Sequence, residues 1–214
     1  MEIVPTEIQQ YAELHTSAES DLLKTINRET YAQVLMPRML SGQVQGRFLS
    51  MVSHMIKPDR ILEIGTYTGY SALCFAEGLS DKGKIITIDI NEELENRVRK
   101  SFGESVFHDQ IDYRVGNALE IIPTLNETFD LIFIDADKIN YSQYYDLVFD
   151  KLKVGGILLA DNVLWSGKVL APDPDKDTKA ILEFNKKVQM DPRIENVLLT
   201  IRDGIMMVRK ISNA

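Results

Sequence analysis

The chain has 214 residues, 44% hydrophobic and 26% charged, which suits one domain with a large core beneath a charged surface. Its formal net charge of -8, without any Lys/Arg-rich stretch, excludes the basic footprint that nucleic-acid backbones require. No run of about 20 apolar residues can span a membrane. No basic region followed by an apolar stretch marks an export signal, and the single cysteine, Cys74, excludes an internal disulfide framework. The expectation is a cytoplasmic protein with neither nucleic acid nor membrane as partner.

Residues 1 to about 58 carry helical spacing and no strand signal. Thr16 with Glu19 three positions on has the form of a capping box, and Leu22, Leu23 and Ile26 follow at helical spacing. A second helix is expected from about Val44 to Ile56, burying Phe48, Leu49, Val52, Met55 and Ile56, with Pro58 as its stop. From Arg60 onward short apolar runs alternate with amphipathic stretches. The runs are 61–64, 84–89, 111–115, 129–134 and 156–160; the stretches lie near 70–79, 91–105, 117–125 and 140–152. Strands without polar alternation, separated by helices, indicate a parallel sheet covered on both faces. The active site of such a sheet lies along the carboxyl ends of its strands. After a helix at 176–190, the runs 196–201 and 205–209 flank Arg202-Asp203-Gly204, a hairpin signal. The fold expected is α/β and doubly wound: seven mostly parallel strands ending in an antiparallel hairpin. It forms a single domain, with 1–58 as a helical extension and 59–214 as the sheet core.

The first strand ends Leu62-Glu63-Ile64-Gly65-Thr66-Tyr67-Thr68-Gly69-Tyr70-Ser71 and enters a helix. Gly65 and Gly69 permit a tight turn and close approach of a ligand. Thr66 and Tyr67 occupy the place of the middle glycine of G-x-G-x-x-G, so a pyrophosphate is disfavoured. The Glu63 carboxylate repels phosphate and suits an ammonium. A plain strand-to-helix turn is the alternative reading of these glycines. Asp89 closes the second strand, where acidic side chains bind ribose hydroxyls; it is alternatively a helix cap, a role Asn91 can also fill. Gly116-Asn117-Ala118 follows the third strand, at a place suited to an adenine edge. Adenosine with an amino-acid moiety is S-adenosylmethionine (SAM), and the fold becomes the Rossmann-like class I SAM-dependent methyltransferase.

The fourth strand ends Phe133-Ile134-Asp135-Ala136-Asp137-Lys138 and the fifth ends Leu159-Ala160-Asp161-Asn162. Adjacent strand ends lie about 5 Å apart, so Asp135, Asp161 and Asn162 can converge on a cation. Two carboxylates and an amide oxygen favour Mg²⁺, with Mn²⁺ or Ca²⁺ as alternatives, over Zn²⁺. The simpler reading makes both aspartates caps of the segments that follow. His15, His54 and His108 show no metal-ligand spacing, and Cys74 reads as an inert core thiol.

Together, Glu-Ile-Gly-Thr-Tyr-Thr-Gly-Tyr-Ser (63–71), Asp-Ala-Asp-Lys-Ile-Asn-Tyr (135–141) and Asp-Asn-Val-Leu-Trp-Ser-Gly-Lys-Val (161–169) resemble the cation-dependent O-methyltransferases. That family includes caffeoyl-CoA and catechol O-methyltransferases, and the resemblance covers about residues 39–211. It implies methionine-moiety contacts at Glu63, Gly65, Thr66 and Ser71, with Ser41 reaching in from the helical region. It also implies Asp89 at the ribose, Ala118 at the adenine, and Asp137 and Tyr144 beside the amino-acid end and sulfonium. Metal ligands would be Asp135, Asp161 and Asn162. Lys138 matches the general base of the catechol-type members, so Lys138 and Asp135 are the catalytic candidates; Asp203 matches a substrate-side position. Ser166 departs from the plant pattern, which has asparagine there, and Met39-Leu-Ser-Gly-Gln-Val-Gln-Gly46 also differs. These departures suggest a bacterial-type member with a small catechol-like acceptor.

Lys138 has an alternative role as the ion-pair partner of Asp137 or a surface carboxylate. The segment from Trp165 to Lys179 reads either as a loop over the acceptor pocket or as a solvated acidic connection. Trp165 itself reads as core. The N-terminal helices can bury a homodimer partner. The rival functions are a nicotinamide-dependent reductase, opposed by Glu63 and the terminal hairpin, and a non-catalytic SAM-binding module.

Overall fold

The computed structural model describes residues 3–213. The chain divides into two compact units, Glu7–Ala118 and Leu119 onward with the segment ending at Thr6. The N-terminal unit contains helices α1 (Thr6–Leu14), α2 (Asp21–Gln33) and α3 (Gly42–Ile56), then β1 (Arg60–Ile64), α4 (Tyr70–Ala76), β2 (Lys84–Asp89), α5 (Glu95–Gly103) and β3 (Ile111–Val115). The C-terminal unit follows with α6 (Ala118–Thr124), β4 (Phe129–Ile134), α7 (Tyr141–Phe149), β5 (Leu152–Asp161), α8 (Lys176–Met190), β6 (Ile194–Leu199) and β7 (Ile205–Lys210). The seven-stranded sheet has the order β3-β2-β1-β4-β5-β7-β6.

Pairing is parallel between β1 and β2, β2 and β3, and β4 and β5, and antiparallel between β5 and β7 and between β6 and β7. The expected α/β sheet with a reversed terminal hairpin is therefore present. Its parallel strands are apolar almost throughout: Ile61, Leu62, Ile85, Leu131, Ile132 and Phe133 are all buried. Continuous apolar runs of this kind need cover on both faces, which is why helices alternate with them. The edge strand β6 begins two residues earlier than its apolar run suggests and is only partly buried.

Two helical details differ from expectation. Thr16 does not cap α2; its hydroxyl donates back to Ala12 O at 2.6 Å, behind α1. The N-cap is Ser20, whose Oγ accepts from Leu23 N. Glu19 Oε1 instead accepts from Asn27 Nδ2 and from the Tyr70 hydroxyl. On α3, Leu49 and Val52 are buried as expected, but Met55 is exposed and the buried face continues through Gln45, Gly46, Ser50 and Ser53. The cause is close packing: a Cβ on Gly46 would lie 2.7 Å from the Tyr70 ring and 2.9 Å from Cys74 Sγ. Small and polar residues therefore face α4, Met51 and Met55 turn outward, and Phe48 and Ile56 are only half-buried. Ser53 Oγ donates to Phe75 O, and Arg47 and Ser50 both engage Glu77.

Helix α8 has the bounds its pattern suggests. Asp175 is its N-cap, accepting from Thr178 N at 2.8 Å and from the Thr178 hydroxyl at 2.6 Å. Those two bonds, with help from Lys168, hold the Asp175 carboxyl down at about 2 against an ordinary 3.8. A depressed folded-state pKa stabilises the fold above the unfolded value and stops doing so as pH falls through the folded one. Asp175→Ala should lower the thermal midpoint near neutrality, and its gap from wild type should close as pH falls from 3.8 toward about 2. Thermal melts across that range check this; a gap independent of pH contradicts it.

Candidate active site

In the N-terminal unit, the ends of the three parallel strands are tied together around Asp89. Gly65 N donates to Ile88 O at 2.8 Å, and Gly116 N donates to Asp89 O at 2.8 Å. The Asp89 carboxylate accepts from Tyr67 N at 2.6 Å through Oδ2 and from Asn91 N at 2.8 Å through Oδ1. Asn91, not Asp89, caps the 3₁₀ turn that leads to α5, accepting from Glu93 N. Asp89 is therefore not the helix cap; it joins the β1–α4 turn to the end of β2. Gly65 and Gly69 have φ of 105° and 83°, and Gly69 also lies against Phe102, whose ring would be 2.7 Å from an added Cβ. Glycine is required at Gly69 for both reasons.

Glu63 is fully buried, and its Oε2 accepts a short hydrogen bond from the Thr87 hydroxyl. The Thr66 hydroxyl is 2.6 Å from Thr87 Oγ1. The Thr87 proton is committed to Glu63, so the Thr66 hydroxyl donates to Thr87. Ser71 lies in the first turn of α4, Ala118 at the start of α6 and Ser41 just ahead of α3; all three are buried.

In the C-terminal unit, the parallel register of β4 and β5 pairs Ile134 with Ala160. Asp135 and Asp161 are the next residues on each strand, so the register brings them to the same end, side by side. Asp161 is 2% exposed. Its Oδ1 accepts from Asn162 N at 2.7 Å, and neither aspartate caps the 3₁₀ turns that follow. Lys138 Nζ donates to Asp135 Oδ1 at 3.1 Å and to the Tyr141 hydroxyl at 2.6 Å. Lys138 pairs with Asp135 and not with Asp137. Asp137 is exposed and accepts from Asn140 Nδ2 and from the buried Tyr144 hydroxyl, each at 2.6 Å. Burial, then the Asp137 charge, raises the Tyr144 pKa, so its proton stays on that bond.

The segment after β5 is built from unusual backbone. Asn162, Trp165 and Ser166 all have φ between 48° and 60°. Left-handed conformations at residues other than glycine cost of order 1–3 kcal/mol each, least for Asn, and need outside support. The β6–β7 turn supplies it. Val163 N donates to Gly204 O, Leu164 N donates to Asp203 O at 2.9 Å, and Ser166 N donates to the Asp203 carboxylate. Gly204, with φ of 86°, lies so close that a Cβ would be 2.5 Å from Leu164 Cγ. Trp165 is half-buried and not core; Lys138 and Lys168 Nζ each lie 5.8 Å from its ring centroid.

Asp135, Asp161 and Asn162 are hard oxygen donors at one strand end, the set that an oxygen-seeking cation takes. Among the described residues, no three His, Cys, Asp or Glu side chains gather for a metal. A cation here would thus depend on two carboxylates and an amide, leaving several positions to water and substrate. The histidines take no part, each ring nitrogen Nδ1 resting on a main-chain carbonyl of Tyr11, Ser50 or Ser105. Cys74 is buried, and burial pushes its thiol pKa up. Three residues escape sequence reasoning: Thr87, Tyr141, and Asp203 as a holder of the Ser166 main chain. Only Tyr141 had a local signal, its place one helical turn after Lys138.

A parallel α/β sheet with an antiparallel last pair, carrying its polar residues at the strand ends, is the arrangement expected of a SAM-dependent methyltransferase. The chain belongs to the O-methyltransferase family, whose model matches residues 13–211. It is 40% identical over 187 residues to a caffeoyl-CoA O-methyltransferase of Eucalyptus globulus, covering 81% of this chain and 76% of that protein. It is 36% identical over 207 residues to the caffeoyl-CoA O-methyltransferase of Medicago sativa, covering 90% and 83%. Among solved structures, an SAH-bound methyltransferase of Podospora anserina is 30% identical with a TM-score of 0.89, covering 96% of this chain and 94% of that one. An O-methyltransferase of Bacillus cereus in complex with SAH is 29% identical with a TM-score of 0.87, covering 96% and 98%. The enzyme is a SAM-dependent O-methyltransferase, as the motifs suggested.

Charge-assisted hydrogen bonds of the kind expected between Asp89 and a ribose are worth about 1.5–3 kcal/mol. Asp89→Ala should therefore weaken S-adenosylhomocysteine (SAH) binding roughly 10- to 100-fold. Calorimetric titration measures this, and an unchanged Kd removes Asp89 from the site.

Proposed function

We propose that this enzyme methylates one hydroxyl of a small catechol-like or caffeoyl-type acceptor, and that it needs a divalent cation held by Asp135, Asp161 and Asn162. The observation that carries this reading is the pairing of Ile134 with Ala160, which sets two aspartates side by side with Lys138 Nζ 3.1 Å from Asp135. Mg²⁺ is the first choice, and Mn²⁺ or Ca²⁺ suit the same oxygens. When bound, the cation favours ionisation of a vicinal hydroxyl pair and fixes its orientation. SAM supplies the electrophilic methyl carbon, and we assign its adenosine to Asp89 and Ala118 and its amino-acid end to Ser41, Glu63, Gly65, Thr66 and Ser71. Asp137 and Tyr144 hold one another by their 2.6 Å bond and keep the main chain beside Lys138 in place.

A phenol of pKa about 10 is mostly protonated at neutral pH, so the reaction needs a proton acceptor. We assign this role to Lys138, which is 9% exposed. The acceptor oxygen forms the new bond to the methyl carbon as the S–CH₃ bond breaks, its proton passes to Lys138 Nζ, and SAH leaves. The caffeoyl-CoA enzymes among the relatives support an aromatic acceptor. Ser166 stands in place of the plant asparagine and is exposed, with its N–H on Asp203.

We further assign a homodimer and a cytoplasmic location. Tyr11, Leu14, Leu35, Met51 and Met55 of the N-terminal helical region are all exposed, an apolar surface that a second copy would cover. The single buried cysteine suits a reducing compartment, and no helix among the described residues is long and apolar enough to cross a membrane.

Treatment with EDTA should abolish catechol methylation, and Mg²⁺ or Mn²⁺ should restore it; full turnover by metal-free enzyme contradicts the cation requirement. Lys138→Met should lower kcat by about 10²–10⁴-fold, the usual range for a general base, while SAH affinity holds. An unchanged kcat excludes Lys138 as the proton acceptor.

A further inference from the structure

The Tyr141 side chain is fully buried at the start of α7, its ring packed edge-on against Phe184 with centroids 5.3 Å apart. Packing alone would be served by phenylalanine. The hydroxyl, however, does specific work: it lies 2.6 Å from Lys138 Nζ and 2.9 Å from Asp161 O. A phenol carries one proton and accepts through its lone pairs. The main-chain carbonyl of Asp161 can only accept, so the Tyr141 proton goes there, and the Tyr141 oxygen accepts from Lys138.

We propose that Tyr141 is a positioning residue whose hydroxyl fixes Lys138 Nζ between Asp135 and the end of β5. The proposal rests on the reading of Lys138 as proton acceptor. Asp135 Oδ1 and Tyr141 Oη each accept one N–H of Lys138, at 3.1 and 2.6 Å, and these two anchors fix the direction of the remaining position on Nζ. Without the hydroxyl, Nζ keeps one anchor and rotates about its Cε–Nζ bond, so that position points correctly for only part of the time. Substrate and cofactor binding do not pass through this contact. The loss should therefore fall on kcat and not on KM.

The test is a double-mutant cycle of Tyr141→Phe and Lys138→Met in the Mg²⁺-loaded enzyme with a catechol acceptor, each rate normalised to the fraction of chains that bind SAH. Tyr141→Phe keeps the ring and its packing. It should lower kcat about 10- to 100-fold, within the contribution of a general base, with KM for the acceptor and Kd for SAH unchanged. Added to Lys138→Met it should cost nothing more, since the two act as a unit. A wild-type kcat in Tyr141→Phe, beside a reduced one in Lys138→Met, overturns the role of Tyr141 alone. An equal further loss in the Lys138→Met background makes Tyr141 merely structural and also overturns it. If Lys138→Met retains kcat, the reading of Lys138 falls, and this proposal falls with it.

Discussion

The register between β4 and β5 governs the chemistry of the C-terminal unit. Pairing Ile134 with Ala160 obliges the next residue on each strand, Asp135 and Asp161, to emerge at the same end. Neighbouring strands are about 4.8 Å apart, and two like unit charges at that separation repel by roughly 3–4 kcal/mol at an effective dielectric of about 20. A shift of one residue would turn one of them to the other face of the sheet. Both strands are apolar and buried in the stretch just before these residues, 131–134 on β4 and 158–160 on β5, so the register cannot slip without exposing core. The sheet thus brings the two aspartates to one strand end, where cationic groups are favoured. Lys138 is one of them, and a divalent ion is the other in our account.

Around this pair the structure spends backbone strain, and the last hairpin supports it. Asn162, Trp165 and Ser166 occupy left-handed conformations, and the turn at Asp203 and Gly204 receives three of that segment's main-chain N–H groups. This explains why an antiparallel hairpin closes an otherwise parallel sheet at this place. It pairs with β5, the strand that ends in Asp161, and its turn reaches the residues that follow. The N-terminal unit solves a different problem, with three strand ends gathered on Asp89 and a buried Glu63 engaged by Thr87.

Much of this was legible in the sequence because it was local. Apolar runs without alternation located the parallel strands, and Asp203-Gly204 located the hairpin. Asp135 and Asp161 could be paired before any coordinates, since each ends an apolar run. What the sequence concealed was tertiary. The capping-box spacing pointed to Thr16, whereas α2 starts at Asp21 and Ser20 caps it by accepting from Leu23 N. The buried face of α3 cannot be read from hydrophobicity, because the close approach of Tyr70 and Cys74 demands Gly46 and small polar neighbours. Tyr141 was hidden for a related reason. An aromatic residue in an apolar helix reads as core, and its hydroxyl gains meaning only once Asp161 O and Lys138 Nζ are seen on either side.

The most direct test of the central claim is crystallographic: crystals grown with Mn²⁺ and SAH, with data collected for the anomalous signal of manganese. The account predicts one strong peak within bonding distance of carboxylate oxygens of both Asp135 and Asp161 and of the Asn162 side-chain oxygen. A saturated crystal with its manganese elsewhere, or with the two carboxylates occupied only by Lys138, would contradict it.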